Sequence, residues 1–129
     1  MRSLFKDRNS IFILTLGAIA GGFVHWPIPY EEMAMSSQPY VLRMGIAGVF
    51  VGIIGAILKK KTPLMVSFLA TAGFALAIFI RVAFDMFAIG SSSHNLWPFE
   101  ILIIVLISFP TSLVGAGLIG LINKFLIKN

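Results

Sequence analysis

The chain has 129 residues, of which 58% are hydrophobic and only 12% charged. A water-soluble domain carries about 25% charged residues, so this composition leaves too little polar surface to cover a soluble core and makes lipid the more economical solvent. The absence of cysteine excludes disulfides, thiolate metal sites and cysteine nucleophiles. The net charge of +5 comes from basic residues gathered at the edges of apolar blocks, with no basic stripe of interleaved aromatics, which points to lipid headgroups and away from nucleic acid.

Four apolar blocks occupy residues 11–26, 40–58, 63–89 and 99–122. A helix crosses a hydrocarbon core about 30 Å thick with about 20 mainly apolar residues. The pattern predicts an all-α membrane protein, a single domain over 1–129 built as a bundle of four transmembrane helices with spans at 11–28, 40–58, 63–86 and 98–122. The basic stretch before the first block has the outline of a signal peptide. The long apolar run and the loose small-residue site at Ala34-Met35-Ser36 favour a retained helix.

In chain order, Gly17 and Gly21 give the first span a small-xxx-small spacing. Pro39 is expected to open the second span, where Gly45, Gly48, Gly52 and Gly55 form one narrow stripe at 100° per residue. Between helices in lipid there is no hydrophobic drive, and small residues that admit close backbone approach supply the contact. Packing within the bundle and association between copies both use such a stripe. Thr62 and Pro63 form the cap and first turn of the third span, which carries Gly73 and Ala77 and ends with Arg81 and Asp85 one turn apart. Pro98 should open the fourth span, with Glu100 in the first turn where the helix dipole favours a carboxylate. Pro110, near its middle, deletes one helical hydrogen bond and displaces the Leu106 carbonyl, and the flanking Ser108, Thr111 and Ser112 are placed to re-satisfy freed groups. A kinked fourth helix is expected.

Orientation follows from the joints. Arg2, Lys6, Arg8, Lys59, Lys60, Lys61, Lys124 and Lys128 fall at one end, and the joints at the other end contain no lysine or arginine. The positive-inside rule places both termini in the cytoplasm, an N-in/C-in topology, and argues against a dual-topology dimer. Trp26 and Trp97 sit at the outer level, where an aromatic belt belongs. A plasma (inner) membrane is the expected location, with multiple passes.

The two remaining basic residues, Arg43 and Arg81, lie inside spans near the outer end. A charge within a span is by default a functional hypothesis. With them at that level are Glu31, Glu32, Asp85, Glu100, His25, His94 and Asn95. The candidate residues of a substrate or ion path are therefore Arg43, Arg81, Asp85, His94, Asn95, Glu100, His25 and Glu31. The competing structural reading pairs Arg81 with Asp85 and Arg43 with Glu100 or a loop glutamate, pinning helix ends together. A third reading uses His25 and His94 with Asp85 or Glu100 as metal ligands or catalytic groups, but no His-x-x-x-His spacing supports it. The serines at 91–93 beside His94 lack a nucleophile elbow. Both outer joints place His, Trp-Pro, an aromatic and Glu in that order, which fits either a duplicated two-span hairpin or shared interface chemistry.

The resulting expectation is a small polytopic membrane protein that serves as a component of a transport or channel system with a polar outward-facing site. It is expected to work in the lipid bilayer as a homo-oligomer or within a larger membrane complex, without a cofactor and without nucleic acid. The alternative is a non-transporting accessory or scaffold subunit. An outer-leaflet enzyme acting on lipid through His94, Asp85 and Glu100 ranks third, and the residues favour a role other than catalysis.

Overall fold

A computed structural model describes residues 7–29, 37–59, 61–90 and 96–128, with Lys59 described in its backbone alone. They form four helices: α1 (Arg8–His25), α2 (Gln38–Lys59), α3 (Pro63–Ala88) and α4 (Trp97–Ile127). Three of them, α2, α3 and α4, are long and apolar enough to cross a membrane. The protein is thus a membrane-embedded helical bundle. The 18-residue α1 is shorter and begins on Arg8, Asn9 and Ser10, which sets it apart from the other three.

Local chemistry sets the ends. The Asp7 side chain accepts a hydrogen bond from the Asn9 amide at 3.1 Å, and this N-cap starts α1 ahead of the apolar run at Ile11. The Thr62 hydroxyl accepts from the Met65 amide at 3.4 Å, with Pro63 in the first turn of α3 as its sequence indicates. Pro39 and Pro98 likewise lie in the opening turns of α2 and α4, and Glu100 in the first turn of α4. At its other end α4 runs on to Ile127, past the expected stop at 122. Asn123 and Lys124 do not break a helix, and a lysine in the last turn meets the negative end of the dipole.

Around the bundle the order is α1, α3, α4, α2. Helices α2 and α3 also touch across the middle, whereas α1 and α4 do not meet among the described residues. A two-fold axis relating the two hairpins would make those two pairings equivalent, so the hairpins are not arranged as a symmetric repeat. The closest pairs are α1 with α3 and α2 with α4. Both run parallel: Gly17 faces Ala70 while Gly21 faces Phe74 and Ala77, and Gly48 faces Thr111 while Gly52 faces Ser112 and Ala116. In each pair the glycines are reciprocal. A methyl on Gly17 would overlap the Ala70 carbonyl, and one on Gly73 would overlap the Leu14 carbonyl. Gly52 and Gly115 relate in the same way to the Ser112 and Val49 carbonyls. Backbone therefore lies on backbone, close enough for Cα–H···O contacts. The α2 stripe is spent inside the chain, with Gly55 against Val66 and Ile13, so it is not a face left for a second copy.

The apolar centre is filled by Ile13, Met44, Val66, Phe74, Ile78 and Ile104, all fully buried. Between α3 and α4 a buried hydroxyl chain crosses the interior. The Ser67 hydroxyl donates to the Phe109 carbonyl at 3.1 Å and lies 3.0 Å from the Ser112 hydroxyl. Within α4, Ser108, Thr111 and Ser112 donate to the carbonyls of Ile104, Ile107 and Ser108 at 2.7, 2.7 and 2.6 Å. These are bonds back to the fourth preceding carbonyl, and the Leu106 carbonyl released by Pro110 is not among their acceptors.

At the lysine-rich end, Lys61 Nζ binds Asp7 Oδ2 at 2.7 Å, fastening the start of α1 to the joint between α2 and α3. The Lys61 hydrogen bond and the Asn9 amide hold the Asp7 carboxyl below its usual range.

Replacing Gly73 by Val should lower stability by about 1–3 kcal/mol, the range for overpacking a close contact, measured as thermal unfolding in detergent. Gly117→Ala, at a position inside α4 with open space around it, should not lower the midpoint and should raise it slightly, since alanine is favoured over glycine in a helix interior. Because the folded-state pKa of Asp7 is lowered, its pairing favours the native state above the unfolded value of about 3.9 and is lost as the pH falls through the folded value. Asp7→Asn should therefore lower the melting temperature at neutral pH, with the difference from the parent protein closing on acidification below about pH 4.

Candidate functional site

The end of the bundle opposite Lys61 holds the described polar groups of the candidate site. It is built where α1 stops. Pro27 has no amide to continue the α1 ladder, and the carbonyl of Trp26 is left at the helix terminus. Arg81 of α3 answers it: Nη1 donates to the Trp26 carbonyl, and Nε donates to Asp85 Oδ2 at 2.8 Å. A cation is the favoured partner for the negative end of a helix. The Trp26 indole in turn donates from Nε1 to the Ala77 carbonyl at 3.1 Å. Trp26 is therefore bound to α3 by its side chain and its backbone, beyond the belt role that its position alone implies.

The Arg81–Asp85 pair is largely removed from solvent, with side-chain exposures of 16% and 3%. The geometry matches the structural reading for these two residues, and they reach one another by the four-residue helical spacing. Breaking such a pair at one partner leaves a charge in a poor solvent.

Beside it lies a contact between α1 and α2. His25 is fully buried, and its Nδ1 shares a hydrogen bond of 2.8 Å with the Tyr40 hydroxyl. The two rings meet edge-on, with centroids 5.9 Å apart and planes at 74°. Tyr40 was not legible as a site residue. A tyrosine at the start of an apolar run looks like an interfacial anchor, and the signal that it needs a partner is only its burial. Glu100, half-buried in the first turn of α4, is within electrostatic reach of Tyr40. Thus α4 contributes a carboxylate near the α1–α2 contact. Trp97, from the same turn, packs edge-on against Phe79 of α3 at 6.0 Å.

Tyr40 is also a wall of a cavity of about 370 Å³, which Pro27, Ile28, Pro29, Ser37, Pro39 and Arg43 complete. Arg43 is exposed and has no hydrogen bond or ion pair among the described residues. The pairing of Arg43 with Glu100 is not formed. The prolines restrict the backbone around this cavity, and the Arg43 guanidinium in its lining is a permanently charged donor.

Of the eight candidates, the structure brings His25, Arg81, Asp85 and Glu100 to one end of the bundle and places Arg43 at the cavity beside them. Glu31, His94 and Asn95 lie outside the described residues, as do Glu32 and the serines at 91–93. Among the described residues no three His, Asp or Glu side chains come together as metal ligands.

Arg81→Met should cost about 3–5 kcal/mol by leaving the buried Asp85 carboxylate without its guanidinium, and the Arg81→Met, Asp85→Met double variant should recover much of that loss in thermal unfolding. Tyr40→Phe keeps the ring and deletes the hydroxyl facing His25. It should cost about 1–3 kcal/mol, with His25 ring resonances shifted in the NMR spectrum while the Arg81 tie is retained.

The chain matches no family model, no curated protein and no solved structure, so its functional reading rests on these residues alone.

Proposed function

We propose that the protein is a small multi-pass component of a transport or channel system in the plasma membrane, with both termini cytoplasmic and its polar site facing outward. The observation that carries this reading is the cavity beside Tyr40, with the exposed guanidinium of Arg43 at its wall and the buried His25–Tyr40 contact behind it. A charged group placed in a span next to a recess has the form of a solute- or ion-admitting mouth. The charge asymmetry of the joints supports the orientation. Pro110 and the hydroxyls bonded back along α4 support a bend in that helix, and a bent helix beside the hydroxyl chain is a natural place for gating. Arg81 and Asp85 act here as positioning residues that hold the end of α1, and Arg43 is the residue that meets the solute.

The accessory reading has one observation in its favour. At mid-depth the interior of a single copy is occupied by Phe74, Ile78 and the Ser67–Ser112 contact, so a passage needs further chains, either copies of this one or a different partner.

Native mass of the protein in lipid nanodiscs, followed by conductance of the purified assembly in planar bilayers, separates the two. A homo-oligomer whose conductance is lost in Arg43→Ala, at unchanged mass and helicity, is the expected result. A stoichiometric foreign partner and no conductance from this chain alone would replace transport by the accessory role. Because the chain has no cysteine, Leu96→Cys and Lys128→Cys report sidedness directly: a membrane-impermeant maleimide added to intact cells should label the first and not the second.

A further inference from the structure

We infer that the lysine-rich end of the bundle holds one anionic phospholipid in a groove between α4 and the joint of α2 with α3. The groove encloses about 520 Å³. Its floor and walls are apolar, from Ala56, Ile57, Ala116 and Gly120, and its polar groups are Lys61 and Asn123. It exists because α4 outruns its neighbours. From Leu121 onward every described residue of α4 is exposed, and the helix stands as a free wall facing the α2–α3 joint. The small side at Gly120, where an added Cβ would come 3.3 Å from the Pro63 ring, keeps the cleft open enough for an acyl chain.

Charge selects the headgroup. By sequence, eight basic residues and one acid, Asp7, belong to the segments at this end. Asp7 is bound to Lys61 and offsets one of those charges. Lys124 and Lys128 follow directly on Asn123 and Ile127, both of which line the groove. An ammonium has three donors, so Lys61 keeps its bond to Asp7 and still has donors for a phosphate oxygen, with the Asn123 amide as a second contact. A basic recess between membrane helices is a recognised form of lipid headgroup site. The acyl chain then lies along Ala56 and Ala116, and the glycerol phosphate at the level of Lys61.

The test uses delipidated full-length protein in non-ionic detergent, titrated with phosphatidylglycerol or with phosphatidylcholine of identical acyl chains, bound lipids being counted by native mass spectrometry. One lipid should be retained, with phosphatidylglycerol preferred roughly fivefold or more, the effect of a single lysine near an anionic headgroup. Lys61→Gln, set against Asp7→Asn as the control for loss of the ion pair, should bring that preference toward parity, and Gly120→Leu should expel the lipid while Gly117→Leu, on an open face, should not. Excess inorganic phosphate should fail to displace it, since the acyl chain supplies part of the binding. Equal retention of the two lipids, displacement by inorganic phosphate, or full retention in Gly120→Leu would overturn the inference, as would a dimer whose formation excludes lipid. If Gly120→Leu does not fold, the ratio between the two lipids on the unaltered protein decides alone.

Discussion

Close approach of helix backbones governs this structure. In lipid, side chains gain nothing from leaving the solvent for a neighbouring helix, because the solvent is as apolar as they are. What remains is contact density and weak polar contact between backbones, and both need residues without bulk. The two parallel pairs, α1 on α3 and α2 on α4, meet that requirement reciprocally: each helix offers a glycine where the other offers a carbonyl. The neighbouring features follow from it. The large side chains are turned outward on most faces, where they meet acyl chains, and the apolar centre is left to Ile13, Met44, Val66, Phe74, Ile78 and Ile104.

Polar groups then act as fasteners at three depths. Lys61 and Asp7 secure the start of α1 at one end. The hydroxyls of Ser67 and Ser112 join α3 to α4 in the middle. At the far end Arg81 holds both Asp85 and the carbonyl terminus of α1. The contacts of Lys61 and Arg81 tie the two ends of α1 to its neighbours, the second also answering a backbone carbonyl at the helix end. The Ser67–Ser112 contact instead joins α3 to α4, a pair outside the two reciprocal glycine contacts. The candidate site arises beside the last of these, where the turn after α1 departs from the bundle and leaves room between prolines and Arg43. The candidate site and the contacts that hold the fold therefore lie at the same end of the molecule and use different residues.

Much of this was readable from the chain. Helix number, the openings at Pro39, Pro63 and Pro98, and the Arg81–Asp85 pair follow from periodicity and from local rules that act over four residues or fewer. The stripe at Gly45, Gly48, Gly52 and Gly55 was recognisable as a packing face, but its partner was not, because small residues carry no address. The four helices offer similar stripes, and only the three-dimensional arrangement matches α2 to α4. The contact between His25 and Tyr40 was hidden for a related reason. Each residue has an ordinary interfacial explanation, and they stand 15 positions apart in the chain, on different helices. Asp7, directly before the first helix, carries the N-cap pattern in its residue type and place, but nothing in the sequence shows its bond to Lys61.

The parallel pairing of α1 with α3 bears on how the chain is made. Of the four described helices α1 is the shortest, at 18 residues. Its closest partner is the third helix, not the second that follows it from the ribosome. A nascent chain that has released only its first hairpin presents Gly17 and Gly21 to lipid or to the insertion machinery, with no backbone yet available to meet them. The Trp26 carbonyl likewise waits for Arg81, which is synthesised 55 residues later. The contacts that seat the amino-terminal helix thus become available only after the third helix has been synthesised.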